Sequence, residues 1–334
     1  MQRRLLPLGL LFFIFSLNAA EREGIYIAAG NGGHRLSSLD GVTWTNHHFI
    51  DKPAHDQNDL KDIAVGNGAC VVVGGFSKSN IFTTSNGVDW EKNPFNIGVL
   101  SGVIFVEGRF LAFGESAKVA ASTDGLAWKL IGDGKLREFM AEEAEKLGVE
   151  PIKSNIRKWK HANGTFVGAG DNCLIVSTKD FKNWTYAERI EPQSRLHIET
   201  DGNGFVVRGD NTIHYSEDGI TWTNVTPEIP EKVRLESLCF DGERYLLNSR
   251  GPEAWESSDG KKWTLVKDAT LPGTIATLRP DLCYSFETYW KYTEDLKLSR
   301  DGGKTWESCN IPEPVGVTCV IFAEGFPPFP TPED

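Results

Sequence analysis

The chain has 334 residues, of which 40% are hydrophobic and 24% charged, a composition that excludes a disordered chain and a polytopic membrane protein. Forty-six acidic residues against thirty-five basic ones leave a net charge of −11, which argues against a surface built to coat nucleic acid. Thirty-four glycines and ten tryptophans beside two methionines point to many turns and buried indoles, with few long helices.

Arg3 and Arg4 precede an apolar run from Leu5 to Leu17 that ends in small residues at Ala19 and Ala20. A basic head, a short apolar segment and small residues make residues 1–19 a signal peptide. The run is short for a bilayer span. The rest of the chain is therefore expected to be secreted or periplasmic, without stable membrane insertion.

Seven similar segments follow. They run from Ser38 through Asp40 and Gly41 to Trp44, from Thr84 through Asn86 and Gly87 to Trp90, and from Ser122 through Asp124 and Gly125 to Trp128. The fourth runs from Thr178 through Asp180 and Phe181 to Trp184, and the fifth from Ser216 through Asp218 and Gly219 to Trp222. The last two run from Ser257 through Asp259 and Gly260 to Trp263, and from Ser299 through Asp301 and Gly302 to Trp306. The tryptophans are spaced 46, 38, 56, 38, 41 and 43 residues apart, a period typical of propellers and solenoids. Asp or Asn with Gly supplies the positive φ of a tight hairpin turn, and the Ser or Thr hydroxyl can bind the turn's own N–H groups. Trp then opens the next strand and packs between sheets. Phe181 stands where the other turns have Gly, so that hairpin is expected to be distorted or of another type.

Each turn sits in a readable four-strand unit. Around Trp128 these are Val103 to Val106, a Glu107-Gly108 turn, Phe110 to Phe113, and Val119 to Ser122. Comparable first turns occur at Asn67-Gly68, Asn163-Gly164, Asn203-Gly204 and Asp241-Gly242. Only two strands fit before Trp44, and one strand, Val315 to Gly325, follows Trp306. That strand carries Val320 to Gly325, which echoes Val103 to Gly108, and is expected to complete the N-terminal unit and remove the exposed edges. The 56-residue step holds Leu136, Phe139, Met140, Ala144 and Leu147 at helical spacing, with Gly148 and Pro151 as a stop. A helical insertion at about 134–150 is expected on the face opposite the repeat turns, packed over a blade edge.

The repeated turns resemble the Asp box, and the chain over residues 24–325 is similar to Asp-box (BNR or sialidase-type repeat) β-propellers. The resemblance implies an all-β fold: one domain of seven four-stranded antiparallel blades, followed by a tail at 326–334. In that family Asp40, Trp44, Asn86, Trp90, Asp124, Trp128, Asp180, Trp184, Asp218, Trp222, Asp259, Trp263, Asp301 and Trp306 are structural.

A binding site is expected opposite the boxes. The loops between second and third strands, with the inter-blade loops, place Asn31, Ser77, Lys78, Glu115, Asp171, Asn172, Asp210, Asn211, Arg250, Glu294 and Asp295 there. Lys61, Arg157, Arg195, Arg234 and Arg279 are read just ahead of inner strands, at comparable positions ringing the channel mouth. Such a ring would bind a carboxylate, sulfate or phosphate group through arginine forks. The competing reading pairs each arginine with an acid such as Asp171 or Asp210, and it is the preferred one, because structural ion pairs mimic functional ones. His47, His48, His55 and Asp56 lack a recognised metal-ligand spacing, so no metal and no cofactor are expected. Cys70, Cys173, Cys239, Cys283, Cys309 and Cys319 fall on separate strands and are read as buried thiols. Asn163, Asn183 and Asn224 sit in glycosylation-like triplets that are read as turn chemistry.

Two function classes remain. One is a binding or assembly propeller for a glycan or protein partner, an anionic one included, acting as a monomer without nucleic acid. In repeat architecture the chain resembles the seven-bladed photosystem II stability and assembly factor propellers, which implies assembly work and an arginine-rich patch. The other is a carbohydrate-active enzyme, a sialidase-like glycoside hydrolase or a polysaccharide lyase. Sialidases carry an Arg-Ile-Pro motif near the start and have six blades, whereas the nearest string here, Arg189-Ile190-Glu191-Pro192, is central. A hydrolase would need two carboxylates facing the substrate, for which Glu115, Asp171 and Asp210 are the candidates. The binding reading is preferred.

Overall fold

The computed structural model describes residues 23–50, 58–147, 155–187, 190, 195–266, 273–279, 282–286, 296–313 and 315–329. The segment read as a signal peptide lies outside them. Seven separate four-stranded antiparallel sheets form the blades of a propeller. Blade 1 joins Gly24–Gly30, Arg35–Ser38 and Thr45–His48 to the last strand of the chain, Val317–Glu324. That strand is innermost and pairs along the whole first strand, from Gly24 opposite Glu324 to Gly30 opposite Val317. The expected closure is therefore present. Blades 2 to 7 begin at Leu60, Gly102, Ile156, His197, Leu235 and Thr274, and each runs from inner to outer strand in chain order.

The strand sequences follow from having neighbours on both faces. In Gly24–Gly30, Ile25, Ile27 and Ala29 enter the seam with blade 2, while Tyr26 and Ala28 enter the seam with blade 7. Both faces of the strand are dry, so it reads as a continuous apolar run. Seven hydrophobic clusters result, one at each seam. The seven repeat tryptophans are distributed one to a cluster, each packing its own blade onto the preceding one. Residues 326–329 continue the core: Phe326 and Phe329 are buried in the seam between blades 1 and 2.

The repeat turns are built alike. In the first, Asp40 Oδ1 accepts the N–H groups of Val42 and Thr43, and Ser38 Oγ accepts that of Gly41. The Gly there has φ +79, and a Cβ would meet Tyr284 of blade 7 at 2.5 Å. Glycine is thus required both for its backbone and for its lack of bulk. The fourth turn corrects the expectation of distortion. Phe181 adopts φ +59, its N–H binds Thr178 Oγ1, and Asp180 Oδ1 receives Lys182 and Asn183 as in the other turns. Its ring takes the space that blade 3 leaves, edge-on to Phe113 with Phe166 beside it, and its Cβ lies against Gly132.

The turns also clamp blade to blade. Asn67 Nδ2 donates to Gly108 and Thr123 carbonyls of the next blade, and Asn163 Nδ2 does the same to Asn203 and Glu217. First hairpin turns and repeat turns therefore share one face. The one α-helix among the described residues, Leu136–Leu147, lies between blades 3 and 4 on the other face. It buries Leu136 and Met140 in their common seam and touches the Glu115–Ala117 turn.

Candidate functional site

The face opposite the repeat turns is formed by the loops between second and third strands and by the starts of the inner strands. Three of those loops are short 3₁₀ turns, Asn31–Gly33, Glu115–Ala117 and Asp171–Cys173. In each, the middle and last residues have left-handed φ. Inner strands add a second device. In blades 1, 2, 4 and 6 the pairing skips the second residue of the inner strand, so Thr318, Lys61, Arg157 and Glu236 stand on bulges. A bulge re-aims one side chain out of the alternating pattern, and each of these reaches a polar partner nearby.

Lys61 Nζ donates to the Gly75 carbonyl at 2.7 Å. Arg157 Nε and Nη2 donate to Asp171 Oδ2 at 2.9 and 2.6 Å. In blade 6 the polarity is reversed: Arg250 Nε donates to Glu236 Oε2 at 2.7 Å. Thr318 Oγ1 donates to the carbonyls of Leu60 and Ala29. Asp171 also accepts Arg195 Nε of the next blade on Oδ1 at 3.0 Å, so two arginines from adjacent blades converge on one carboxylate.

Beneath this cluster, Lys158 Nζ of blade 4 meets Asp62 Oδ1 of blade 2 at 2.6 Å, skipping the blade between them. Asp62 Oδ2 takes the Val103 N–H of that intervening blade. Burial disfavours the Lys158 ammonium, but Asp62 more than reverses this and raises its pKa. Lys61 is shifted the other way, by burial first and then by Arg157, with Asp59 and Glu115 opposing. His197 is pushed down to about 3 by burial and by Arg208, Lys158 and Arg195, so it is neutral at neutral pH. At the rim, Phe76 follows Gly75 and is 67% exposed.

The arrangement corrects the reading of five comparable basic positions. Lys61 and Arg157 are equivalent, but their counterpart in blade 6 is the acid Glu236. Arg195 and Arg234 precede their strands, and Arg234 is exposed with no ion pair among the described residues. Arg279 is the last residue of its inner strand, Thr274–Arg279, opposite Leu282, and so stands at the repeat-turn end of blade 7. Its strand precedes it instead of following it, which moves it to the other face. The preferred pairing of arginines with acids holds for Arg157 and Arg195 on Asp171, and Asp210 lies within the electrostatic reach of Arg250.

Of the carboxylate candidates, Glu115 is exposed on its turn, Asp171 is held by two guanidiniums, and Asp210 is exposed on the blade 5 loop. Glu294, Asp295, His55, Asp56 and all but Ile190 of residues 189–192 lie outside the described residues. His47 instead stacks on His34, with ring nitrogens 2.5 Å apart. Among the described residues no group of three or more His, Cys, Asp or Glu is placed to hold a metal ion. All six cysteines are buried thiols. Asn163 donates its amide to the turns of the next blade, Asn183 donates within its own turn to Asp180, and the Asn224 side-chain oxygen accepts from Thr226. Sequence reasoning passed over Asp62, Lys158 and Glu236, although charged residues near the start of an inner strand are a readable signal. An open groove of about 850 Å³ lies on the repeat-turn face, lined in part by Lys179, Tyr215, Ile220 and Lys261.

No family model and no curated protein matches the chain. Solved propellers do match in structure. One is YCF48 bound to D1 peptide, 14% identical, covering 84% of this chain and 86% of that one, with a TM-score of 0.57. Another is YCF48 from Cyanidioschyzon merolae, 14% identical over 83% of this chain and 88% of that one, TM-score 0.56. A third is apo AztD from Citrobacter koseri, 8% identical over 90% and 97%, TM-score 0.53. At these identities the likeness is one of fold.

Proposed function

We propose that this chain is an Asp-box propeller that binds a protein partner on the face opposite its repeat turns, outside the cytoplasm, with no turnover. The observation that carries this reading is the convergence of Arg157 and Arg195, from adjacent blades, at the channel mouth. Two guanidinium forks aimed at one point suit a carboxylate or another anionic group of a partner. Phe76, exposed beside the Lys61 anchor on the same face, offers an apolar contact for the residues around that anion. The opposite face is less suited, because its turn amides and carboxylates are consumed by internal hydrogen bonds. The peptide held by one propeller of the same fold supports a peptide as the ligand class. Asp171, the acid best placed at the mouth, is neutralised by its two arginines, which suits binding better than acid catalysis.

The test is a binding screen of the chain lacking residues 1–19 against glycan arrays and a peptide pool with free carboxy termini. The screen is repeated with the Arg157→Ala/Arg195→Ala/Arg234→Ala variant. Peptide binding that falls at least about tenfold in the variant supports the reading, since lost charge-assisted pairs cost roughly that much. Binding that survives the triple change, or release of reducing or unsaturated sugar from a glycan, overturns it.

A further inference from the structure

We infer that Asp171 is an internal stand-in for the ligand's carboxylate: it occupies the Arg157–Arg195 fork in the free protein and is displaced or joined when the partner binds. This rests on the binding reading above and adds the chemical group recognised and a residue that sets the affinity.

The turn does not need a carboxylate at this position. Its structural work is done by the backbone, Asp171 N–H to the Asn155 carbonyl at 3.0 Å. The same bond is made in other blades by Asn31 to Gly316, Gly75 to Asp59 and Arg250 to Arg234. Asparagine, glycine and arginine therefore serve equally well there. What distinguishes blade 4 is the side chain and what faces it. Blade 6 has a balanced pair, one arginine on one glutamate. Blade 4 has two arginines on one aspartate, with Lys61 close enough to be disfavoured by Arg157.

The excess positive charge attracts a second anion. The pairs are also accessible: Arg157 and Arg195 side chains are 45% and 46% exposed, and Asp171 is 22% exposed. Half-exposed ion pairs contribute little to stability, so their exchange for an incoming carboxylate is cheap. Only a group that offers the same two-oxygen geometry replaces Asp171 without leaving a guanidinium unpaired. The internal acid thus acts as a selectivity filter and as a competitor that weakens binding.

The probe is acetate, titrated into the chain while the arginine Nε–H signals of Arg157 and Arg195 are followed by NMR. Asp171→Asn keeps the shape of the side chain and removes its charge. The expected result is half-saturation at an acetate concentration at least about fivefold lower in Asp171→Asn than in the unaltered chain, a coupling of ordinary size for two groups sharing one site. The gain should shrink as salt is added. Thermal melts of both proteins establish that the variant is folded. An unchanged or weaker response to acetate in folded Asp171→Asn overturns the inference and makes Asp171 a scaffold for the arginines. The peptide pool is the separate arm. Should Asp171→Asn gain acetate affinity while no peptide binds either protein, the fork is real and the protein-partner reading fails.

Discussion

Phe181 shows how one residue departs from a repeat and is absorbed by its neighbours. A non-glycine residue at φ +59 costs about 1–2 kcal/mol. The cost is offset because the ring is only 4% exposed, lying between Phe113 and Phe166 where blade 3 presents Gly132. Two substitutions separate strain from packing. Phe181→Ala forfeits the ring and keeps the unfavourable backbone, and should cost about 3–5 kcal/mol. Phe181→Gly forfeits the ring but relieves the backbone, so it should be about 1 kcal/mol less damaging. Thermal melts should therefore rank the native chain above Gly and Gly above Ala, the reverse of the usual order in a strand. A glycine variant as stable as the native chain would show that the ring does not offset the strain. The sequence revealed that this position was unusual; it did not reveal the outcome, because the space that accepts the ring belongs to another blade.

At the scale of the element, the repeat turn is a small anion site made from its own backbone. Hydrogen bonds hold Asp124, Asp180 and Asp301 below the ordinary carboxylate range, led by the Ala127 N–H, the Asn183 N–H and the Thr305 hydroxyl respectively. In Asp40, Asp218 and Asp259 burial pushes upward, and turn hydrogen bonds more than reverse it. The sign follows directly. A folded-state pKa below the unfolded value of about 3.9 contributes stability that is present above pH 4 and is lost as pH falls through the folded value. Asp180, held at about 2, should lose its contribution between about pH 4 and pH 2. Tm should begin to fall below about pH 6.5, where the buried, neutral His197 opposes the protonation that unfolding allows, and should fall further across the carboxylate window. Asp180→Asn should melt below the native chain at pH 7, and the gap should close by about pH 2. A gap that is constant with pH would mean the charge contributes nothing to the turn. The turns were legible because every chemical requirement is met within seven or eight consecutive residues. The bulged inner strands were not: Lys61, Arg157 and Glu236 become equivalent only through a pairing offset that depends on the strand beside them.

For the whole molecule, seven seams with one repeat tryptophan each make a closed array in which no blade ends at solvent on either face. The number of blades and the split first blade could be read from repeat spacing and from the likeness of Val320 to Gly325 to Val103 to Gly108. The start of the blade 7 inner strand could not, since Pro280-Asp281 follows it in place of the glycine-containing pair that marks the other first turns, and the sequence therefore sets Arg279 at the wrong end of the blade. Closure depends on Val317–Glu324 lying along Gly24–Gly30, and on Phe326 and Phe329 filling the seam beyond it. These two contributions are separable by truncation. Ending the chain at Gly325 keeps every strand and removes two buried aromatic rings, which at about 2–3 kcal/mol each should lower Tm markedly while leaving a folded monomer. Ending it at Gly316 strips blade 1 of its innermost strand and opens an unpaired apolar edge facing the channel, which should give an aggregating chain. A synthetic peptide of residues 315–329 supplied in trans should restore monomer and a cooperative melt to the shorter form. Circular dichroism and size-exclusion chromatography read both outcomes. A Gly316 truncation that stays monomeric and melts like the full chain would mean that six complete blades and a partial one suffice, and that the ring does not need its clasp.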